Sequence, residues 1–308
     1  MFIAGFIVHS LFLLGVAVLV VILVLLIRKG GGEASGPVAT LHPQPQVPDE
    51  KPGNPSAAAG EDAEQEDFST LAGEVDRDLA ADPAVQEYPF SRLEHLSIAG
   101  AWQLHLQCNA AENSCRISIP PEFARFVKVE KPRNGMLIRY TGKKTPVEAM
   151  TIELSTTGMP AQFKSIGKSR SWIDAAEGER FVCKITDGGR FEMPGARFHE
   201  LVLKLTGDSR AECGGEFDSA EMEVSDRSNA KLRGTIGSLA ARLSGASKGE
   251  AVQVKNAEIA VSGASKLKLE VTDKLEGDLS GGSSLKYRGE IDTSGVRISG
   301  SSRLKNWN

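Results

Sequence analysis

In the last third of the chain, apolar residues fall at every second position, in short runs that break at regular intervals. Leu201/Leu203/Leu205, Ala220/Met222/Val224, Leu239/Ala241/Leu243 and Ala257/Ile259/Val261 each alternate with other residues. A period of two over five or six residues marks a strand with one buried face. Each run ends in a four-residue polar turn: Thr206-Gly-Asp-Ser209, Ser225-Asp-Arg-Ser228, Ser244-Gly-Ala-Ser247, Ser262-Gly-Ala-Ser265, Ser280-Gly-Gly-Ser283 and Ser299-Gly-Ser-Ser302. The turns recur at steps of 19, 19, 18, 18 and 19 residues. A second alternation follows each, as in Leu267/Leu269/Val271 and Leu285/Tyr287. A unit this short cannot enclose a core of its own, so it must bury its apolar side against its neighbours. The pattern predicts an all-β fold, a parallel β-helix (β-solenoid). Ser165-Ile-Gly-Lys-Ser169 and Thr186-Asp-Gly-Gly189 continue it upstream at steps of 21 and 20, giving 18–21 residues per coil and seven or eight coils.

The second residue of each turn is Gly207, Asp226, Gly245, Gly263, Gly281 or Gly300. Gly and Asp tolerate a positive φ, so this slot is predicted to be left-handed. The flanking Ser and Thr hydroxyls can bond turn backbone and stack from coil to coil. Service as nucleophiles would require a base, and no His or acid recurs beside them. The serines are therefore read as a structural ladder.

Upstream, Trp102/Leu104/Leu106/Cys108 alternate, Asn109 to Ser114 turn the chain, and Cys115/Ile117/Ile119 continue as if in a hairpin. Met136/Ile138/Tyr140 and Met150/Ile152/Leu154 follow as two more strands. The Ser-Gly-Ala-Ser turns at 244–247 and 262–265, together with the opening stretch Phe90-Ser-Arg-Leu-Glu-His-Leu-Ser-Ile-Ala-Gly-Ala-Trp-Gln-Leu-His-Leu106, resemble the head GIN domain family of auto-transporter adhesin heads. The likeness runs from about Phe90 to Lys305. It implies a β-helical fold and a cell-envelope setting, and it brings no established activity with it.

The N-terminal part differs in composition. Phe2 to Ile27 holds no Asp, Glu, Lys or Arg. Twenty-six helical residues reach about 39 Å, enough to cross a bilayer with tilt. A cleaved signal peptide would show a basic leader and a small-x-small site, and neither is clear. Residues 1–29 are therefore expected to be a single-pass anchor. Residues 30–87 read as a flexible linker, Gly-rich, then Pro-rich, then acidic, with thirteen acids against Lys51 and Arg77 for a net of −11. Such a segment buries too little apolar surface to order itself. The whole chain carries −4 and the anchor +2, so residues 88–308, the expected head, carry about +5. Arg28 and Lys29 follow the anchor, which by the positive-inside rule places the head in the cytoplasm. The family resemblance and the cysteines argue for an extracytoplasmic head, and that orientation is adopted.

Candidate chemistry is sparse. Cys108 and Cys115, at the two ends of the expected hairpin loop, face each other closely enough for a disulfide in an oxidising compartment, with two free thiols or half of a metal site as alternatives. Cys183 and Cys213 occupy inward slots and read as core residues, a bond between them being the alternative. No phosphate loop, Gly-x-Ser-x-Gly, His-Glu-x-x-His or Cys-x-x-Cys motif is present, and outward acids are scattered. No catalytic residue, cofactor or metal site is assigned. A carbohydrate-active β-helix enzyme and an envelope sensor or regulator remain as alternative readings. The one feature above background lies on the strand after each turn, where Lys231, Arg233, Lys248, Lys266, Lys268, Lys286, Arg288, Arg303 and Lys305 occupy outward slots. Stacked about 4.8 Å apart, they would form a basic stripe. The preceding strand places Glu221, Glu223, Glu258, Glu276 and Asp278 outward on another face. The stripe suggests binding of an anionic polysaccharide, lipid head groups or the chain's own acidic linker. Nucleic acid is not expected, because aromatics are not interleaved with the cations. Open coil ends near Trp307 offer a route to self-association.

Overall fold

The computed structural model describes residues 83–146 and 150–307. The expected anchor (1–29) and the linker up to residue 82 lie outside the described residues. Among the described residues, no helix is long and apolar enough to cross a membrane.

The described chain is an all-β solenoid of about eight turns, its only helical piece a 3-10 turn at Pro121–Phe126. Its strands are β1 (Ala84–Glu87), β2 (His95–Ala99), β3 (Trp102–Gln107), β4 (Ser114–Ile119), β5 (Val127–Glu130), β6 (Gly135–Tyr140), β7 (Met150–Ser155), β8 (Gln162–Ile166), β9 (Arg170–Ile173), β10 (Ala176–Thr186), β11 (Arg190–Leu205), β12 (Arg210–Val224), β13 (Asn229–Leu243), β14 (Lys248–Val261), β15 (Lys266–Leu279), β16 (Ser284–Arg288), β17 (Val296–Ile298) and β18 (Arg303–Asn306). From β10 to β15, each long strand lies parallel to the next in sequence, one coil along.

The N-terminal coils stack out of sequence order. Strand β2 lies between β6 and β8, and β3 lies between β7 and β9, all parallel. The coil containing β6 and β7 therefore ends the parallel stack. It is closed by antiparallel partners, β5 on β6 and β4 on β7, with β1 outside β4. An antiparallel cap covers backbone groups that would otherwise invite edge pairing. Residues 84–87, assigned to the linker by composition, thus form a strand of this cap.

The alternation read from the sequence is the burial pattern of the fold. Each coil places its inward side chains in register with the next: Phe163, Cys183, Leu203 and Met222 form one such column, and Met193, Cys213 and Leu232 another. Aromatics fill the wider early coils. Phe163 stacks on Phe191 at 5.6 Å between ring centroids, and Phe181 on Phe198 at 5.5 Å. Each of these fully buried rings contributes roughly 1.5–3 kcal/mol relative to an exposed one.

The corners explain the repeating turn. Gly207, Asp226, Gly245, Gly263, Gly281 and Gly300 all have positive φ, between 53° and 73°. At Gly263 a Cβ would sit 2.6 Å from the Gly245 carbonyl oxygen of the coil before, so both conformation and space favour glycine at this corner. The two hydroxyl positions divide the work. The last serine of the motif points inward, and Ser209, Ser228, Ser247, Ser265 and Ser283 are buried. Ser247 Oγ donates to the Val224 carbonyl at 3.0 Å and lies 3.3 Å from Ser265 Oγ, and Ser283 Oγ donates to the Val261 carbonyl at 3.1 Å. The first serine stays nearer the surface. Ser262 and Ser299 each donate to a carbonyl of the preceding coil at 3.3 Å.

Candidate ligand-binding face

The residues expected to form the stripe lie on the strand that follows each corner, and the register sorts their positions into columns. In the first column, running from coil to coil, stand Arg170, Arg190, Arg210, Asn229, Lys248, Lys266, Ser284 and Arg303. No position in it is acidic, and six of the eight are cationic. The column lies immediately after the buried corner residue, so every side chain in it points away from the core. Among the described residues, none of its six cations has an acid within ion-pair distance.

The second column, two residues further along the strand, holds Trp172, Glu192, Glu212, Lys231, Glu250, Lys268, Lys286 and Lys305. Here the expectation of a uniform stripe is corrected, because glutamates share the slots of the lysines. Lys231 lies 4.0 Å from Glu212, Arg233 2.7 Å from Glu212, and Lys268 3.6 Å from Glu250. Lys268 also lies over the Trp307 ring, 4.9 Å from its centroid. Lys286 and Lys305 follow without an acid partner. Arg233 and Arg288 fall outside both columns, opposite Gly214 and Glu270. Residues of both columns line a depression of about 240 Å³ over Gly249, among them Lys248, Lys266, Lys268 and Lys286.

Sequence reasoning did not include Arg170, Arg190 and Arg210 in the stripe. The signal was present, since each directly follows a corner (Ser169, Gly189, Ser209), as Lys248 and Lys266 do. The corners before Arg170 and Arg190 have looser motifs, which hid the equivalence, whereas Thr206-Gly-Asp-Ser209 marks Arg210 as clearly as the later corners mark theirs.

The acidic positions on the preceding strand are largely neutralised. Lys204 meets Glu223 at 2.7 Å, Arg242 meets Glu221 at 2.9 Å, Lys274 meets Glu276 at 2.7 Å and Arg297 meets Asp278 at 2.7 Å. The bond from Lys204 holds the Glu223 carboxyl below its ordinary pKa, and that from Arg297 does the same for Asp278. Small Ala240 and Ala260 leave a groove of about 330 Å³ on this face. Most acids of this face are thus paired, whereas the six cations of the first basic column have no acid partner among the described residues.

The remaining candidates are placed as follows. The hairpin expected between Cys108 and Cys115 does not form, because β7 is inserted between β3 and β4. Cys115 stands opposite Leu154 of β7, which in turn faces Leu106 of β3, so the two cysteines sit on opposite sides of that strand. Both thiols are free and buried, and Cys108 Sγ lies 3.3 Å from Met159 Sδ. Burial raises their pKa values, to about 11 for Cys108 and about 12 for Cys115. Cys183 and Cys213 are also free, inside the core. His105 Nε2 lies 3.2 Å from Asp174 Oδ1, and His95 starts β2 beside Gly135. Among the described residues no three His, Cys, Asp or Glu side chains converge as metal ligands.

Residues 162–290 match the head GIN domain. That family is described as "Putative auto-transporter adhesin, head GIN domain". Solved structures share this solenoid fold along most of their length. A "putative adhesin" from Parabacteroides merdae superimposes with a TM-score of 0.63 at 11% identity, over 74% of this chain and 97% of that one. A "putative lipid binding protein" from Parabacteroides distasonis gives 0.64 at 12%, over 74% and 98%. A "putative adhesin" from Bacteroides fragilis gives 0.55 at 12%, over 74% and 98%. At these identities the likeness establishes the fold. Among curated proteins none matches the chain.

Proposed function

We propose that the head is a non-catalytic, adhesin-like interaction module of the cell envelope, and that its first basic column retains an anionic polymer or surface. The observation that carries this reading is the row Arg170–Arg303, eight positions one coil (about 4.8 Å) apart, of which six are exposed cations, two are Asn229 and Ser284, and none is acidic. Lysines that only discourage edge pairing belong on terminal strands, whereas five of the six cations in this column lie on interior strands. Spread along a flat face, it suits an extended ligand gripped at many weak points better than a small molecule held in a pocket. The anchor at residues 1–29 and the linker after it would hold the head at the membrane, on its extracytoplasmic side. Lipid head groups are a second source of the same chemistry, in keeping with the name of the P. distasonis neighbour.

The test is charge reversal at Lys248, Lys266 and Arg303 in the full chain. Retention is measured on a polygalacturonate matrix and on phosphatidylglycerol vesicles, with neutral agarose and phosphatidylcholine as controls. The wild-type chain should be retained by at least one anionic phase and released by salt, and the variant should flow through. Equal retention of the two proteins sinks the proposal.

A further inference from the structure

Trp172 stands apart from the rest of the surface. Three large apolar side chains stand out as exposed among the described residues, and Trp172, at 40%, is the one aromatic. The strand pattern explains its position. In β9, Ser171 and Ile173 point inward, so Arg170 and Trp172 must point out. An indole left in water is an unused apolar surface, yet this one is held in place. Its Nε1–H donates to Asp174 Oδ1 at 2.9 Å, and the same oxygen lies 3.2 Å from His105 Nε2. The ring is fixed by its polar edge while part of its apolar body stays uncovered.

Parallel register arranges the surroundings as two rows of outward side chains. One row reads Thr151, Gln103, Arg170, Arg190, and the other Glu153, His105, Trp172, Glu192. Together they line a cleft of about 400 Å³, within the size range of small-ligand sites. Arg170 and Arg190 are the first two cations of the basic column, so the cleft opens directly onto it.

We infer that this cleft is the ring-stacking subsite of an acidic glycan, with a pyranose face on the Trp172 indole and its carboxylate toward Arg170 and Arg190. The inference rests on the anion-binding reading of the column. Each wall has a chemical reason. A sugar ring presents an apolar C–H face that suits an indole, as every flat ligand face suits an aromatic platform. Planar guanidinium groups offer paired donors to a carboxylate. Glu153, Glu192, Gln103 and Thr151 accept hydrogen bonds from hydroxyls. A single aromatic cannot take successive bases, which sets a nucleic acid aside. A lipid phosphate offers no ring to stack.

The experiment compares two soluble polyanions on the full chain: oligogalacturonate, which has rings, and polyphosphate, which has none. Trp172→Ala should weaken oligogalacturonate binding about tenfold, the scale of one lost stacking contact, and leave polyphosphate binding unchanged. Trp172→Phe should recover part of the loss, and Arg170→Ala with Arg190→Ala should weaken both probes. Trp172 lies outside the core, so the variants should keep the wild-type far-ultraviolet circular dichroism spectrum. If the wild type binds both probes and Trp172→Ala binds oligogalacturonate as tightly as before, or loses both probes equally, the stacking subsite is overturned while the basic column stands. If the wild type binds neither probe, the column reading falls and takes this one with it.

Discussion

Two glycines in neighbouring corners make opposite demands. Gly263 has φ +68° and a notional Cβ 2.6 Å from the Gly245 carbonyl oxygen, whereas Gly282, one corner on and one residue later in the turn, has no positive φ and a nearest neighbour 3.8 Å away. Replacing Gly263 by Ala places an L-residue in the left-handed region, at a cost of about 1–2 kcal/mol. The displaced Gly245 carbonyl accepts from Ala264 N–H at 2.8 Å, and loosening that bond costs about 1 kcal/mol more. The smaller conformational entropy of the unfolded alanine chain offsets roughly 0.4–1 kcal/mol. The net is a loss on the order of 1–3 kcal/mol, or a fall in Tm of roughly 2–12 °C for a domain this size. Gly282→Ala places there the residue found at the same turn position as Ala246 and Ala264, and should be neutral or raise stability by up to about 1 kcal/mol. Thermal unfolding of both full-length variants, followed by circular dichroism in the strand region, separates the cases. Equal melting of Gly263→Ala and wild type would refute the account of the corners, and so would an equal fall for both variants.

Two further outcomes follow from the described geometry. With both pKa values pushed up to between about 11 and 12 and both side chains buried, Cys108 and Cys115 should resist a thiol reagent at pH 8 in the native chain, and all four cysteines should react once it is denatured. His199 bonds Asp218 and lies 3.8 Å from Glu179, so its titration midpoint, read by NMR, should lie above the ordinary histidine value and fall in Asp218→Asn. Because the folded value is raised, the pairing stabilises fully below the unfolded histidine value, and that stabilisation is lost as pH climbs through the folded value.

The repeating part of the fold was legible because its rules are local. Alternation gave the inward column Cys183, Leu203 and Met222, and the Gly or Asp slot gave the left-handed corners, since each depends only on residues within one coil. The cap was not legible. Nothing between Cys108 and Cys115 announces that β7, some forty residues later, will slide between their strands, because that order is set by whole-sheet pairing. The site was half legible for a related reason. Lys248, Lys266 and Arg303 follow well-marked corners, as does the overlooked Arg210, whereas Arg170 and Arg190 follow degenerate ones. Counting cations alone also overlooked Glu212 and Glu250, which share the lysine slots and neutralise them.

Each corner brings its own left-handed residue, and from Ser209 onward its own inward serine, while most bring an outward cation as well. A duplication of one 18–19-residue unit would therefore insert into the stack without disturbing its neighbours, and would usually lengthen the charged row by one foothold. For a ligand gripped at many weak points, avidity would then be adjustable in whole steps through gene length, with no side chain redesigned.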